Sequence, residues 1–276
     1  MSLRTRCGPG GAWMINDTRL RTLARQTGVT AGLAEKNYVN SWILYALYTS
    51  PLADHLVFKG GTALSKLYFP EIWRFSEDLD FTATEPLPDL AQQLETAVAG
   101  IAKQSGITFT VTNIYEAGEP VEYVQIDVQY DAILGQRNTT DLDITFNEAL
   151  AFPPVQHRHA FEDVPAVDLT AYSVEEIFVE KLRSLYQRAR ARDYYDIYRL
   201  LNQESFDDKA VADALRTKSR AHNVDLDLAN GIPADSQEAV HQYWEQALDR
   251  LVQQKPAFDD VAHRINDYLL DLSAAG

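Results

Sequence analysis

Between Val124 and Tyr130 the chain alternates strictly: Val124, Ile126, Val128 and Tyr130 are apolar or aromatic, and Gln125, Asp127 and Gln129 between them are polar. A period of two sends successive side chains to opposite faces of a strand, so this segment requires a sheet with one covered face. Leu142, Ile144 and Phe146 repeat the pattern against Asp141, Asp143 and Thr145. Both strands therefore carry acids on their polar face. Gln136-Arg137-Asn138-Thr139 is the turn expected between them.

The remaining elements build outward from that sheet. Tyr38, Trp42, Tyr45 and Leu47 within Ala34 to Tyr48 predict an amphipathic helix that Pro51 ends. Leu56-Val57-Phe58 reads as a short buried strand, and Gly60-Gly61 turns it into a short helix through Ala63, Leu64 and Leu67. A second strand is expected over Leu79 to Ala83. Leu90, Leu94, Val98 and Ile101 then repeat at helical spacing up to Ser105-Gly106. Strands are predicted over Ile107 to Tyr115, Glu122 to Ala132 and Leu142 to Phe146. Pro153-Pro154 and a loop to Thr170 separate this part from an all-helical remainder. The expected division is residues 1–33 as leader and first helix, 34–155 as an α/β core, and 156–276 as a helical domain.

At 276 residues and 46% hydrophobic content, the chain is long and apolar enough to bury a substantial core. Forty acidic against 25 basic residues give a formal charge of -15, which excludes a whole-surface nucleic-acid coat and restricts any such contact to a local patch. The same excess serves solubility. No apolar run is long enough to span a bilayer, and Met1 to Trp13 lacks the apolar core of a signal peptide, so the expected compartment is the cytoplasm. The single cysteine, Cys7, excludes an internal disulfide framework and a Cys-based zinc site; it lies in a segment that reads as a leader or an alternative start before Met14, and has no assigned role.

Chemistry concentrates first at Lys59-Gly60-Gly61-Thr62. Glycines admit positive φ and let backbone N–H groups approach an anion, while Thr62 offers a hydroxyl and Lys59 a cation. The Walker spacing is absent, so this is not a P-loop, and an ordinary strand-to-helix turn would use the same residues. Asp78 and Asp80 are two apart, and a strand would project both carboxylates to one side. Two hard oxygen ligands suit Mg²⁺, which keeps waters and binds substrate phosphates as well; two solvated acids at a strand start are the alternative. Asp143 and Asp127 are the candidates for a third acid.

A second cluster runs from Glu180 to Arg199. Ile177, Lys181 and Leu185 follow at intervals of four, placing Lys181 on the apolar stripe of a helix that begins near Ser173. Arg183, Arg188, Arg190 and Arg192 form the most basic segment of an acidic chain, suited either to phosphate or to pairing with neighbouring acids. Asp193 and Asp196 share a helical face by their spacing of three, and would position arginines as readily as bind metal.

Phe58-Lys59-Gly60-Gly61-Thr62-Ala63-Leu64, Arg74-Phe75-Ser76-Glu77-Asp78-Leu79-Asp80-Phe81, Glu180-Lys181-Leu182 and Arg192-Asp193-Tyr194-Tyr195-Asp196-Ile197-Tyr198 together resemble the AbiEii family of nucleotidyltransferase-like toxins. The resemblance runs from about Glu35 to Leu201. It implies an α+β fold, with a polymerase β-like nucleotidyltransferase domain built on a mixed sheet and followed by a helical domain. It also implies a toxin of a toxin–antitoxin or phage-defence (abortive infection) system, with a cognate antitoxin as partner and no membrane. Some members transfer nucleotides from NTP to the 3′ end of tRNA. Carried over by motif, Gly60, Gly61 and Thr62 would hold the triphosphate, with Lys59, Ser76 and Arg192 beside it. Asp78, Asp80 and Asp143 would hold Mg²⁺, or Mn²⁺, in a two-metal site; Asp143 is chosen because Asp143-Ile144-Thr145-Phe146 looks like the family segment, with Asp127 in reserve. Lys181 would neutralise phosphate charge, and Asp193 belongs to the last motif. Ser76 falls where related toxins carry a serine that is modified to silence them. The family helix often opens with Lys-Asp-Tyr, where this chain has Lys36-Asn37-Tyr38.

The reading is therefore a Mg²⁺-dependent nucleotidyltransferase that moves NMP from an NTP to an acceptor, the tRNA 3′ end above others. An NTP-binding protein without transferase activity would keep the glycine turn but not need all three acids. A protein-interaction module would act through its acidic surface and keep its toxicity without Asp78 and Asp80.

Overall fold

The computed structural model describes residues 15–70, 74–146, 148–161, 163–188, 190–252 and 254–275. Cys7 and the Met1 to Trp13 segment lie outside the described residues. The chain forms two compact units, one running to Glu148 and including Pro154–Ala171, the other comprising Ala149–Pro153 and the chain from Tyr172 onward.

The first unit is built on a seven-stranded mixed sheet. Its helices are α1 (Asp17–Thr27), α2 (Ala31–Tyr48), α3 (Gly60–Ala63) and α4 (Leu90–Ser105). Its strands are β1 (Leu56–Lys59), β2 (Leu79–Ala83), β3 (Thr108–Ala117), β4 (Tyr123–Asp131), β5 (Asn138–Phe146), β6 (Val155–His159) and β7 (Val167–Ala171), in the spatial order β3-β4-β5-β2-β1-β7-β6. β2 runs parallel to β5 and antiparallel to β1. The alternation of apolar and polar residues holds position by position: Val124, Ile126, Val128, Tyr130, Leu142, Ile144 and Phe146 are buried, while Gln125, Asp127, Gln129, Asp141, Asp143 and Thr145 are half-buried. α2 packs against α4 and β7, and α4 against β3. α2 is apolar on nearly every side, with Tyr38, Trp42, Ile43, Leu44 and Leu47 at most 1% exposed. It is a core helix, not the amphipathic one its sequence suggested.

Two other expectations are corrected. The segment expected as loop up to Thr170 contains β6 and β7, which extend the sheet beyond β1. The turn expected at Gln136 to Thr139 lies earlier, because Gly135 adopts φ +64 and donates its N–H to the Ala132 carbonyl at 3.4 Å, and β5 has already begun at Asn138.

The second unit is helical: α5 (Val174–Gln187), α6 (Ala191–Gln203), α7 (Asp208–Ala221), α8 (Ala234–Leu248) and α9 (Phe258–Ala275). Ser173 caps α5 by accepting the Glu176 N–H at 3.2 Å. Phe178 stacks on Phe206 at 4.1 Å, and Phe258 sits among Tyr194, His241 and Trp244. One buried acid explains why Ala149–Pro153 belongs here. The Glu176 carboxylate accepts the N–H groups of Ala151 and Phe152, both at 2.9 Å, and pairs with Lys218, whose ammonium also donates to the Ala149 carbonyl at 3.3 Å. Among the described residues no helix is long and apolar enough to cross a membrane.

Candidate active site on the polar face of the sheet

Asp80 stands directly opposite Asp143 on β5 and opposite Lys59 on β1. Paired residues on neighbouring strands share a face, so the three side chains form one transverse row. Asp127, the reserve candidate, stands instead opposite Asp141. Asp78 ends the approach to β2, one residue before Leu79, the partner of Leu142. Asp78, Asp80, Asp127, Asp141 and Asp143 are all half-buried.

The glycine turn and the first acids touch. Gly60 has φ +76, and a Cβ there would run into the Asp80 carboxylate, 2.9 Å from its Cγ. At Gly61 an added Cβ would meet the guanidinium of Arg74, which is 3% exposed and donates to the Phe75 carbonyl at 3.1 Å. The two glycines thus make room for a carboxylate on one side and a guanidinium on the other. Thr62 is fully buried and gives its hydroxyl to the Asp78 carbonyl at 2.5 Å, tying the turn to the strand that carries the acids. α3 is a single turn that continues as a π-helical turn over Leu64–Tyr68, which together make the short helix expected after the glycines through Ala63, Leu64 and Leu67. Ser76 is buried at 9% exposure in the approach to Asp78.

Several neighbours of these residues escaped the sequence reading. The Lys59 ammonium is buried, donating to Thr145 Oγ1 at 2.9 Å and pairing with Glu148 at 2.8 Å. The Tyr123 hydroxyl donates to Asp143, and burial together with this carboxylate, Asp80 and Asp141 pushes its own ionisation upward. Asp141 has its carboxyl pushed up chiefly by burial, with Asp78, Asp127 and Asp143 adding to the effect and Lys36 opposing it. The polar face is therefore a patch of mutually repelling carboxylates. Asp141 and Asp143 were visible as alternating acids, whereas nothing near Tyr123 in sequence marked its partner 20 residues away.

Lys66 follows the glycine turn and is 6% exposed. Its ammonium donates to the Asn37 carbonyl (3.0 Å), Asn37 Oδ1 (2.7 Å) and Ser41 Oγ (2.8 Å), and lies 4.2 Å over the Phe161 ring. Desolvation lowers its pKa to about 7. The Asn37 that departs from the family's aspartate is thus the residue that receives this lysine, with a neutral amide where a carboxylate would supply a counter-charge.

The remaining predicted residues lie in the helical unit. Lys181 does sit on the buried side of α5, and its ammonium pairs with Asp193 at 2.9 Å and Asp196 at 2.8 Å, both on α6. Ser184 Oγ donates to Asp193 at 3.1 Å. Of the arginines of the basic segment, Arg183 is buried and donates to Gln187 at 2.8 Å, so it is no part of a surface patch. Arg188 and Arg190 are exposed and Arg192 is half-buried, with Arg188 Nε 3.8 Å from Asp193.

Among the described residues no three His, Cys, Asp or Glu side chains converge into a ready metal cage. The donor chemistry of the polar face nevertheless fits a hard divalent cation: the row supplies carboxylate oxygens from adjacent strands, with the glycine turn alongside.

The family model described as nucleotidyl transferase AbiEii toxin, type IV toxin–antitoxin system, matches residues 42–264. No curated protein sequence matches the chain. Among solved structures, MenT4, a nucleotidyltransferase toxin from Mycobacterium tuberculosis H37Rv, is similar with a TM-score of 0.64 at 21% identity, over 92% of this chain and 89% of that one. JHP933 from Helicobacter pylori is similar with a TM-score of 0.53 at 17% identity, over 89% of this chain and 94% of its own. At these identities the likeness is one of fold.

Proposed function

From the premise that the chain belongs to the AbiEii family of nucleotidyltransferase toxins of type IV toxin–antitoxin systems, we propose that it transfers NMP from an NTP to the 3′ end of a tRNA. We assign the reaction to the polar face of the sheet. The observation that carries this assignment is the placement of Asp80 opposite Asp143 and against Gly60.

In this reading Asp78, Asp80 and Asp143 would hold Mg²⁺, which supplies charge neutralisation on the triphosphate and activates the attacking hydroxyl. The backbone of Gly60 and Gly61 contacts the phosphates, since a turn free of Cβ atoms lets an anion approach the N–H groups. Thr62 acts through the backbone: by holding the Asp78 carbonyl it fixes the distance between turn and acid. Tyr123 keeps the Asp143 carboxylate oriented, and Lys59, held by Glu148 and Thr145, sets a positive charge at the end of the acidic row. Ser76, buried in the approach to Asp78, completes the nucleotide contacts in this assignment. The transferred group is already activated in the NTP, so positioning and electrostatics suffice for most of the acceleration. An antitoxin partner follows from the family.

The test is incubation of the protein with total RNA, Mg²⁺ and each labelled NTP in turn, with the products resolved by size. Label in the tRNA band, lost in Asp80→Ala, is expected. Label in no acceptor, RNA, protein or small molecule, with any of the four NTPs would sink the proposal.

A further inference from the structure

The transverse row continues past the acids. Asp143 is the register partner of Gln125 on β4, and Gln125 is the partner of Tyr115 on β3. Lys59, Asp80, Asp143, Gln125 and Tyr115 therefore share one face across five consecutive strands. β3 is the edge of the sheet, and Tyr115 is 55% exposed. Its ring packs edge-on against Tyr123, with centroids 6.4 Å apart and planes at 63°, and Tyr123 is the residue whose hydroxyl holds Asp143. A large exposed aromatic is thus braced by the same tyrosine that orients a candidate metal acid.

We propose that Tyr115 is a stacking platform for a nucleobase, with Gln125 beside it reading the base edge. Strands lie about 4.8 Å apart, so Tyr115 stands about 10 Å from Asp143, a span comparable to the reach of one nucleotide from its phosphate to its base. The chemistry changes along the row in the order that a nucleotide requires: carboxylates for metal and phosphate, an amide that both donates and accepts, then an apolar ring. Every base has a π-face, so stacking tolerates any sequence, while an amide discriminates among base edges. Phosphate would be repelled at this end of an acidic patch that holds no arginine or lysine in the row beyond Lys59; a neutral base is not. The base belongs either to the incoming NTP or to the acceptor's terminal nucleotide, and the placement relative to the acids rests on the function proposed above.

The test compares wild type, Tyr115→Ala and Tyr115→Phe in equilibrium binding with Mg²⁺ and one of three probes: each NTP, inorganic tripolyphosphate, or a short single-stranded RNA. Tyr115→Ala should weaken the base-bearing probe about tenfold, the order expected for loss of one base–aromatic stack, while leaving tripolyphosphate unchanged. Tyr115→Phe, which keeps the ring, should bind like wild type. Loss for the NTPs alone assigns the platform to the incoming base, and loss for RNA alone assigns it to the acceptor. Unchanged binding of every probe, or tripolyphosphate weakened as much as the NTPs, would overturn the proposal. The two claims separate cleanly: base-dependent binding without any transfer by wild type removes the transferase reading and keeps the platform. Transfer by wild type with Tyr115→Ala indistinguishable in every binding arm does the reverse.

Discussion

Asp80 and Asp143 stand half-buried on the sheet, among other carboxylates, a tyrosine hydroxyl and a glycine turn, whereas Asp193 and Asp196 are buried between two helices and share the ammonium of Lys181. Both are acid pairs, and both belong to segments that resemble the same family. Their surroundings give them different work. On the sheet burial first, and the neighbouring carboxylates after it, raise the carboxyl of Asp141, and the carboxylate oxygens gathered there suit a cation. In the helical unit the negative charge is matched inside the protein, as it is again where Glu176 meets Lys218. A buried pair of this kind contributes little net stability, but breaking it strands a charge. The lysine on the apolar stripe of α5 thus has a structural explanation that its sequence position did not supply.

This contrast is open to attack at three places. Lys181→Met would leave Asp193 and Asp196 buried without their shared ammonium, and should lower unfolding stability by about 3–5 kcal/mol in urea titration. A loss under about 1 kcal/mol would mean that the triad is not what holds α5 to α6. Gly60→Ala comes next: positive φ in an L residue costs about 1–2 kcal/mol. The added methyl must also displace the Asp80 carboxylate. A thermal melt should show the modest destabilisation, while transfer falls far more than stability does. Equal losses in both would indicate a purely structural turn.

Smallest per unit of pH is the effect at Lys66, whose folded pKa of about 7 lies below its ordinary value of 10.5. Between those values the unfolded chain binds the proton that the folded chain has released, so stability should rise with pH from about 7 to 10.5, by at most about 1.4 kcal/mol per unit. Below pH 7 both states carry the charge and this contribution is flat. The groups facing Lys66 are the neutral Asn37 and Ser41, the Phe161 ring, and His159, itself held neutral to about pH 3 by burial and by Lys66. Lys66→Met should remove that slope relative to wild type. Asn37→Asp, which supplies the missing carboxylate, should move it to higher pH.

Sequence reached the sheet wherever a period of two coincided with burial. β4 and β5 announced themselves through Val124 to Tyr130 and Leu142 to Phe146, and α4 through Leu90, Leu94, Val98 and Ile101. β6 escaped because Val155-Gln156-His157-Arg158-His159 lies at the sheet edge, buries little beyond His159 and so shows no apolar alternation. β7 has its alternation in Val167, Leu169 and Ala171, but is too short to stand out after two prolines and a polar stretch. The order of glycine turn, Asp78, Asp80 and Asp143 was legible from motif and period. What they touch was not: Lys59 meets Glu148 across 89 residues and Glu176 meets Lys218 across 42, and no local pattern encodes a contact of that separation. Inward-pointing Lys181 was read correctly as buried, but its partners came from α6, where spacing alone left arginines and metal equally eligible.

The central claim is that the acids of the sheet, and not those of the helical unit, take up the divalent cation. Mn²⁺ binding followed by electron paramagnetic resonance, with a non-hydrolysable NTP present, compares wild type with Asp80→Ala, Asp143→Ala and Asp193→Asn directly. The account predicts that bound Mn²⁺ is lost in Asp80→Ala and Asp143→Ala and retained in folded Asp193→Asn. Retention in both sheet variants, with loss in Asp193→Asn, would contradict it.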